Sequence, residues 1–181
     1  MFDKEYSFKG RHAQRVEKLT SNLDDRIKGG LKLFGRNLDV YMDAPLVGIL
    51  YNRKAEADYT KNPVNNETYV TKIFGDILIQ NKLELEFNYK LIMLLDERSE
   101  KDPKVRISKA FRRTGDDYTD IETYESYVRG GIDVLYEKLI EGVTDTHEYI
   151  ERLAEFVGDF QEKYNDCIDF EEVCKLSRGE D

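Results

Sequence analysis

Between Thr144 and Phe160 apolar side chains return every three or four residues, at Tyr149, Ile150, Leu153, Phe156, Val157 and Phe160. That period fits one face of an α-helix and not the two-residue alternation of a strand. The same spacing joins Val16, Leu19, Leu23 and Ile27 within a segment running from about Arg11 to Lys28. Only three prolines interrupt 181 residues, so little in the chain breaks helices. The expected fold is all-α, a compact multi-helix bundle of about seven or eight helices. A chain of this length with 40% apolar residues can bury one sizeable core, so residues 1–181 are read as a single helical domain.

Local signals divide the chain. Gly29-Gly30 should end the first helix, because glycine loses the most backbone freedom inside a helix and enters the left-handed region readily. Asp43-Ala44-Pro45 reads as a cap followed by a first-turn proline, opening a helix, with a short buried strand at Leu46–Tyr51 as the alternative. Asn62, Pro63, Asn65 and Asn66 mark a loop. Glu67 to about Asp96 reads as two helices broken near Gln80–Lys82, and the run FNYKLIMLL is so apolar that the second is expected at the centre of the bundle. Asp102-Pro103 opens a short basic helix reaching about Arg113, and residues 114–117 form a turn. Tyr118–Arg129 and Ile132–Glu141 read as two helices parted by Gly130-Gly131. The last long helix starts near Thr144 or Asp145, and Asp169 can cap one final turn.

Charge is distributed unevenly. Residues 1–113 carry a balance of +5 and residues 114–181 one of −14, within a total of −9. The domain therefore has a basic-to-neutral part and an acidic helical subregion. No apolar run reaches the roughly 20 residues that span a bilayer, and the opening MFDKEYSFKGRH lacks the apolar stretch of a secretory signal. A cytoplasmic protein without membrane contact is expected. Cys167 and Cys174 lie seven apart, about 10 Å along a helix, which is too far for a disulfide.

Few residues form a pattern that carries chemistry. Lys104, Arg106, Lys109, Arg112 and Arg113 are five cations within ten residues with no acid among them, a candidate anion or nucleic-acid site. Arg11, Arg15, Lys18, Arg26 and Lys28 extend that site only if the fold brings the two segments together. Lys28-Gly29-Gly30 and Arg129-Gly130-Gly131 share a basic-Gly-Gly pattern, read as tight helix junctions because neither matches a phosphate-binding glycine fingerprint. Asp39, Asp43, Glu56, Asp58, Glu84 and Glu86 are carboxylates without a recognised metal spacing. His12 and His147 belong to no HExxH or di-iron pattern. No nucleophile elbow or kinase glycine loop is present, so no catalytic residue, metal ligand or cofactor is assigned, and the chain leans away from being an enzyme. Tyr118, Tyr124, Tyr127, Tyr136 and Tyr149 give the acidic part an interface character, since tyrosine buries a ring while its hydroxyl stays hydrated.

These features point to a non-enzymatic helical interaction module, a self-associating small subunit or adaptor of a larger assembly whose partner is a protein or a second copy. The alternative is a nucleic-acid-binding accessory protein, in prokaryotic antiviral defence or DNA processing, that uses the basic 104–113 helix. An acidic DNA mimic and a carboxylate-metal enzyme rank behind both.

Overall fold

The computed structural model describes residues 1–22, 32–112, 115 and 117–164. Its elements are β1 (Tyr6–Lys9), α1 (Gly10–Thr20), α2 (Asn37–Leu50), β2 (Val70–Ile73), α3 (Gly75–Gln80), α4 (Lys82–Leu95), α5 (Pro103–Phe111), α6 (Tyr118–Leu139) and α7 (Thr146–Tyr164). The chain is mostly helical, with seven helices among the described residues, and the all-α expectation is corrected by a small sheet. β1 and β2 pair antiparallel in the register Tyr6↔Ile73, Ser7↔Lys72, Phe8↔Thr71 and Lys9↔Val70. Val70–Ile73 was expected to be helical. Its β-branched residues instead extend along β1, and Phe8 and Ile73 are buried.

The centre of the bundle is the crossing of α2 and α6. Where two helices were expected around Gly130-Gly131, α6 runs unbroken for 22 residues. The two glycines are contact points. A Cβ on Gly131 would overlap the Ala44 carbonyl, one on Gly130 the Arg53 carbonyl, and one on Gly48 of α2 the Tyr127 carbonyl. Backbones that approach this closely leave no space for side chains, and the packing offsets the roughly 1 kcal/mol each mid-helix glycine costs. Gly29-Gly30, the later part of the first predicted helix, both cysteines and the Asp169 turn lie outside the described residues.

α2 begins earlier than Asp43-Ala44-Pro45 suggested. Arg36 precedes it, and the Asp39 carboxylate accepts the Arg36 backbone N–H at 2.9 Å. Pro45 is buried inside the helix, and Asp43 is exposed on its outer side rather than capping it. The short-strand alternative at Leu46–Tyr51 does not form, because helix continues to Leu50.

Asn81 separates α3 from α4 where the break was expected, but α4 is not central. It buries Leu85, Tyr89, Ile92 and Met93 on one side and leaves Leu83 80%, Phe87 64% and Leu95 51% exposed. α5 starts as expected, with Asp102 accepting the Lys104 N–H at 2.8 Å and Pro103 in the first turn. α7 starts within two residues of its expected position. No described helix is long and apolar enough to cross a membrane.

Candidate functional site

α6 carries five carboxylates that face the rest of the fold, and four of them hold cations. Asp120, 1% exposed at its side chain, pairs with Lys109 of α5 at 2.9 Å. Glu122 pairs with Arg129, whose Nε also donates to the Ala55 carbonyl at 2.9 Å. Asp133 takes Arg11 at 3.3 Å and Arg15 from α1, and His12 Nε2 lies 3.2 Å away, off the line of a good hydrogen bond. Burial pushes the Asp133 carboxyl upward, but His12, Arg15 and Arg11 together hold it below the ordinary aspartate value. Glu137 takes Arg53 at 3.1 Å.

This pairing decides where the basic residues go. Lys109 is consumed by Asp120, and Arg106 binds Glu97 at 3.0 Å and the Glu100 carbonyl at 3.0 Å. Lys104 and Arg112 are exposed, and Arg113 lies outside the described residues. Arg11 and Arg15 are bound some 13 residues further along α6, about 20 Å from the Lys109 anchor. Lys18 stands over the Tyr136 ring at 5.9 Å and Arg15 over the same ring at 4.8 Å. The two basic segments are thus tied to separate stations on one acidic helix.

The tyrosines divide in the same way. Tyr124, Tyr127 and Tyr149 are at most 1% exposed and belong to the core, so they present no surface to a partner. Tyr127 donates to Asp96 at 2.9 Å under the Lys54 ammonium, and burial pushes the Tyr149 hydroxyl up to about 12. Tyr136 is partly covered by α1, and Tyr118 is 78% exposed. His147 is exposed and lies 3.4 Å from Glu151. Among the described residues no three His, Cys, Asp or Glu side chains gather as a metal ion would require.

Two features that spacing did not mark remain. The first is apolar. α2 is apolar almost all round, a pattern of helices covered on every side, yet Leu46 borders two open troughs. One trough, of about 630 Å³, lies between α2, α6 and α7 and includes Leu50, Phe156 and Phe160. The other, of about 420 Å³, lies against α4 between Leu46, Leu83 and Phe87, with Asp43 and Glu84 at its rim. Partial desolvation at the trough rim and the neighbouring Asp39 carboxylate raise the Asp43 carboxyl above its ordinary value. The one sequence signal was the alternation Leu83, Leu85, Phe87, which on a helix cannot place all three on one side.

The second is polar. Glu125, the fifth carboxylate of α6, has no cation within salt-bridge distance among the described residues. Its oxygens accept instead from the Tyr6 hydroxyl and, at 2.9 Å, from the Tyr41 hydroxyl. Burial raises its carboxyl to about 7 against the pull of the two tyrosines and of Arg129. Glu125 lies at a cavity of about 280 Å³ that β1, segment 57–59 and α6 enclose, with Tyr59 and Tyr118 among its walls. Tyr6 and Glu125 are 119 residues apart, so no local pattern could have joined them. Comparison of the chain with protein-family models, with curated proteins and with solved structures gives no match.

Proposed function

We propose that the chain is a self-associating helical protein in which α5 of one copy docks in the α2–α4 trough of another. The observation that carries this reading is the uncovered trough itself, where Leu83 and Phe87 stand one helical turn apart, 80% and 64% exposed, under an acidic rim. Contiguous exposed apolar surface of this kind marks association sites. α5 offers the complement. Lys104, Ile107 and Phe111 share one face at i, i+3 and i+7, with Ile107 49% and Phe111 61% exposed and with Arg112 alongside. Apolar side chains would fill the trough while Lys104 and Arg112 meet Asp43 and Glu84. Because α4 and α5 pack against each other, ridge and trough are neighbours. A two-fold pair, each copy giving its ridge and taking its partner's, satisfies both.

Sedimentation analysis across micromolar concentrations tests this. Wild type should dimerise, and Phe87→Lys and Phe111→Glu should each weaken dimerisation about 30-fold or more, as loss of an interface anchor does. Mixing the two variants should restore dimers, since the mixed pair keeps one original contact and sets Lys against Glu in the other. A wild type that stays monomeric, or a Phe87→Lys dimer of unchanged affinity, overturns the reading. A nucleic-acid role draws less support from the geometry, because Arg106 and Lys109 are occupied within the chain.

A further inference from the structure

We propose that the cavity lined by Glu125 binds an organic cation, an alkylammonium or guanidinium group, with Glu125 as counter-ion and Tyr59 and Tyr118 as aromatic walls. The pattern of ion pairs along α6 breaks at Glu125. Asp120, Glu122, Asp133 and Glu137 each hold a Lys or Arg, whereas Glu125 is held by two neutral hydroxyls at the edge of open space. A partly buried carboxylate without a cation is costly, and a bound cation would supply what its four neighbours already have.

The other charges at the cavity are already engaged. Asp58 accepts the Arg11 backbone N–H at 2.6 Å and the Thr60 N–H at 3.0 Å. Glu122 and Arg129 neutralise each other, and His12 faces Asp133. Lys9 stands with its ammonium 5.5 Å from the Tyr59 ring centre, so this rim already attracts an ammonium of the chain's own. Tyr118, 78% exposed, presents a second ring at the cavity. A volume of about 280 Å³ suits a small headgroup and not a large planar ligand. An anion would meet the Glu125 carboxylate and is disfavoured.

One thermodynamic consequence separates this site from a nonspecific one. The groups facing Glu125 are Tyr6 of β1, Tyr41 of α2, and Glu122, Tyr124 and Arg129 of its own helix, and the one cation among them, Arg129, is paired with Glu122. Its carboxyl lies at about 7, so a cation that favours the ionised form expels a proton when it binds near neutral pH.

Isothermal titration of the whole chain with n-butylammonium, guanidinium and tetramethylammonium chlorides, against sodium chloride at matched ionic strength, reads this directly. Two buffers of different ionisation heat report the released proton. Saturable binding of at least one organic cation with proton release is expected. Glu125→Gln should lose the proton release and about tenfold in affinity. Tyr118→Ala, at an exposed ring, should lose about threefold and keep the proton release. Circular dichroism verifies that both variants are folded. A lysine-containing tetrapeptide that binds as well as n-butylammonium assigns the cavity to a protein side chain, and a much weaker peptide assigns it to a free amine. No saturable binding to folded wild type, an equal response to sodium, or unchanged binding by Glu125→Gln overturns the proposal.

Discussion

α4 and α6 invert the roles their sequences suggest. α4 is the more apolar of the two and leaves Leu83, Phe87 and Leu95 in solvent, whereas α6 carries Asp120, Glu122, Glu125, Asp133 and Glu137 and runs through the middle. Central position here follows closeness of approach rather than hydrophobicity. Gly130 and Gly131 admit the backbones of α2 and of the segment after it, and Asp120, Asp133 and Glu137 are tolerable on α6 because cations from α5, α1 and residue 53 meet them.

The contrast is broken most severely at the crossing. Gly131→Leu should cost more than about 4 kcal/mol or abolish folding, since the displaced atoms are the Ala44 backbone, and chemical denaturation measures it. Next, Lys109→Ala removes the 2.9 Å ion pair that ties the buried Asp120 to α5, and a loss of about 3 kcal/mol is expected in the same assay. Glu125→Gln sharpens the comparison through pH. The folded carboxyl titrates near 7 and the unfolded one near 4.5, so the folded state holds the proton that the unfolded state releases. Wild-type stability should therefore fall relative to Glu125→Gln as pH rises from about 4.5 to about 7, by roughly 3 kcal/mol in total, and run parallel beyond. Parallel curves across that window would show that the Glu125 carboxyl is not raised. The smallest effect belongs to α4, where Leu83→Ser should change monomer stability by about 0.5 kcal/mol or less, because the side chain is 80% exposed.

How much of this the residues announce depends on how local the cause is. The Asp102-Pro103 start of α5, the break at Asn81 and the start of α7 rest on caps and periodicity within a few residues, and they form where expected. β1 and β2 are four residues each and make sense only as a pair joined across 60 positions, so neither Tyr6–Lys9 nor Val70–Ile73 stands out alone. Gly130-Gly131 carries the local signature of a break, and the neighbours that explain both glycines are carbonyls more than 70 residues away. The same holds for function. The five cations of 104–113 formed a visible cluster, yet the use of Arg106 by Glu97 and of Lys109 by Asp120 depends on packing, as does the meeting of Tyr6, Tyr41 and Glu125.

Asp58 ties the start of α1 to a distant part of the chain. No side chain next to α1 caps its start, and the carboxylate that accepts the Arg11 N–H comes from a residue 47 positions later. That residue belongs to the stretch laid across α6 by the Arg53 N–H to Gly48 and the Ala55 N–H to Ser126. The first turn of α1 is therefore completed by tertiary structure, at the same turn whose Arg11 and His12 side chains lie against Asp133. The start of α1 thus depends on the placement of residues 53–58 as much as on its own sequence.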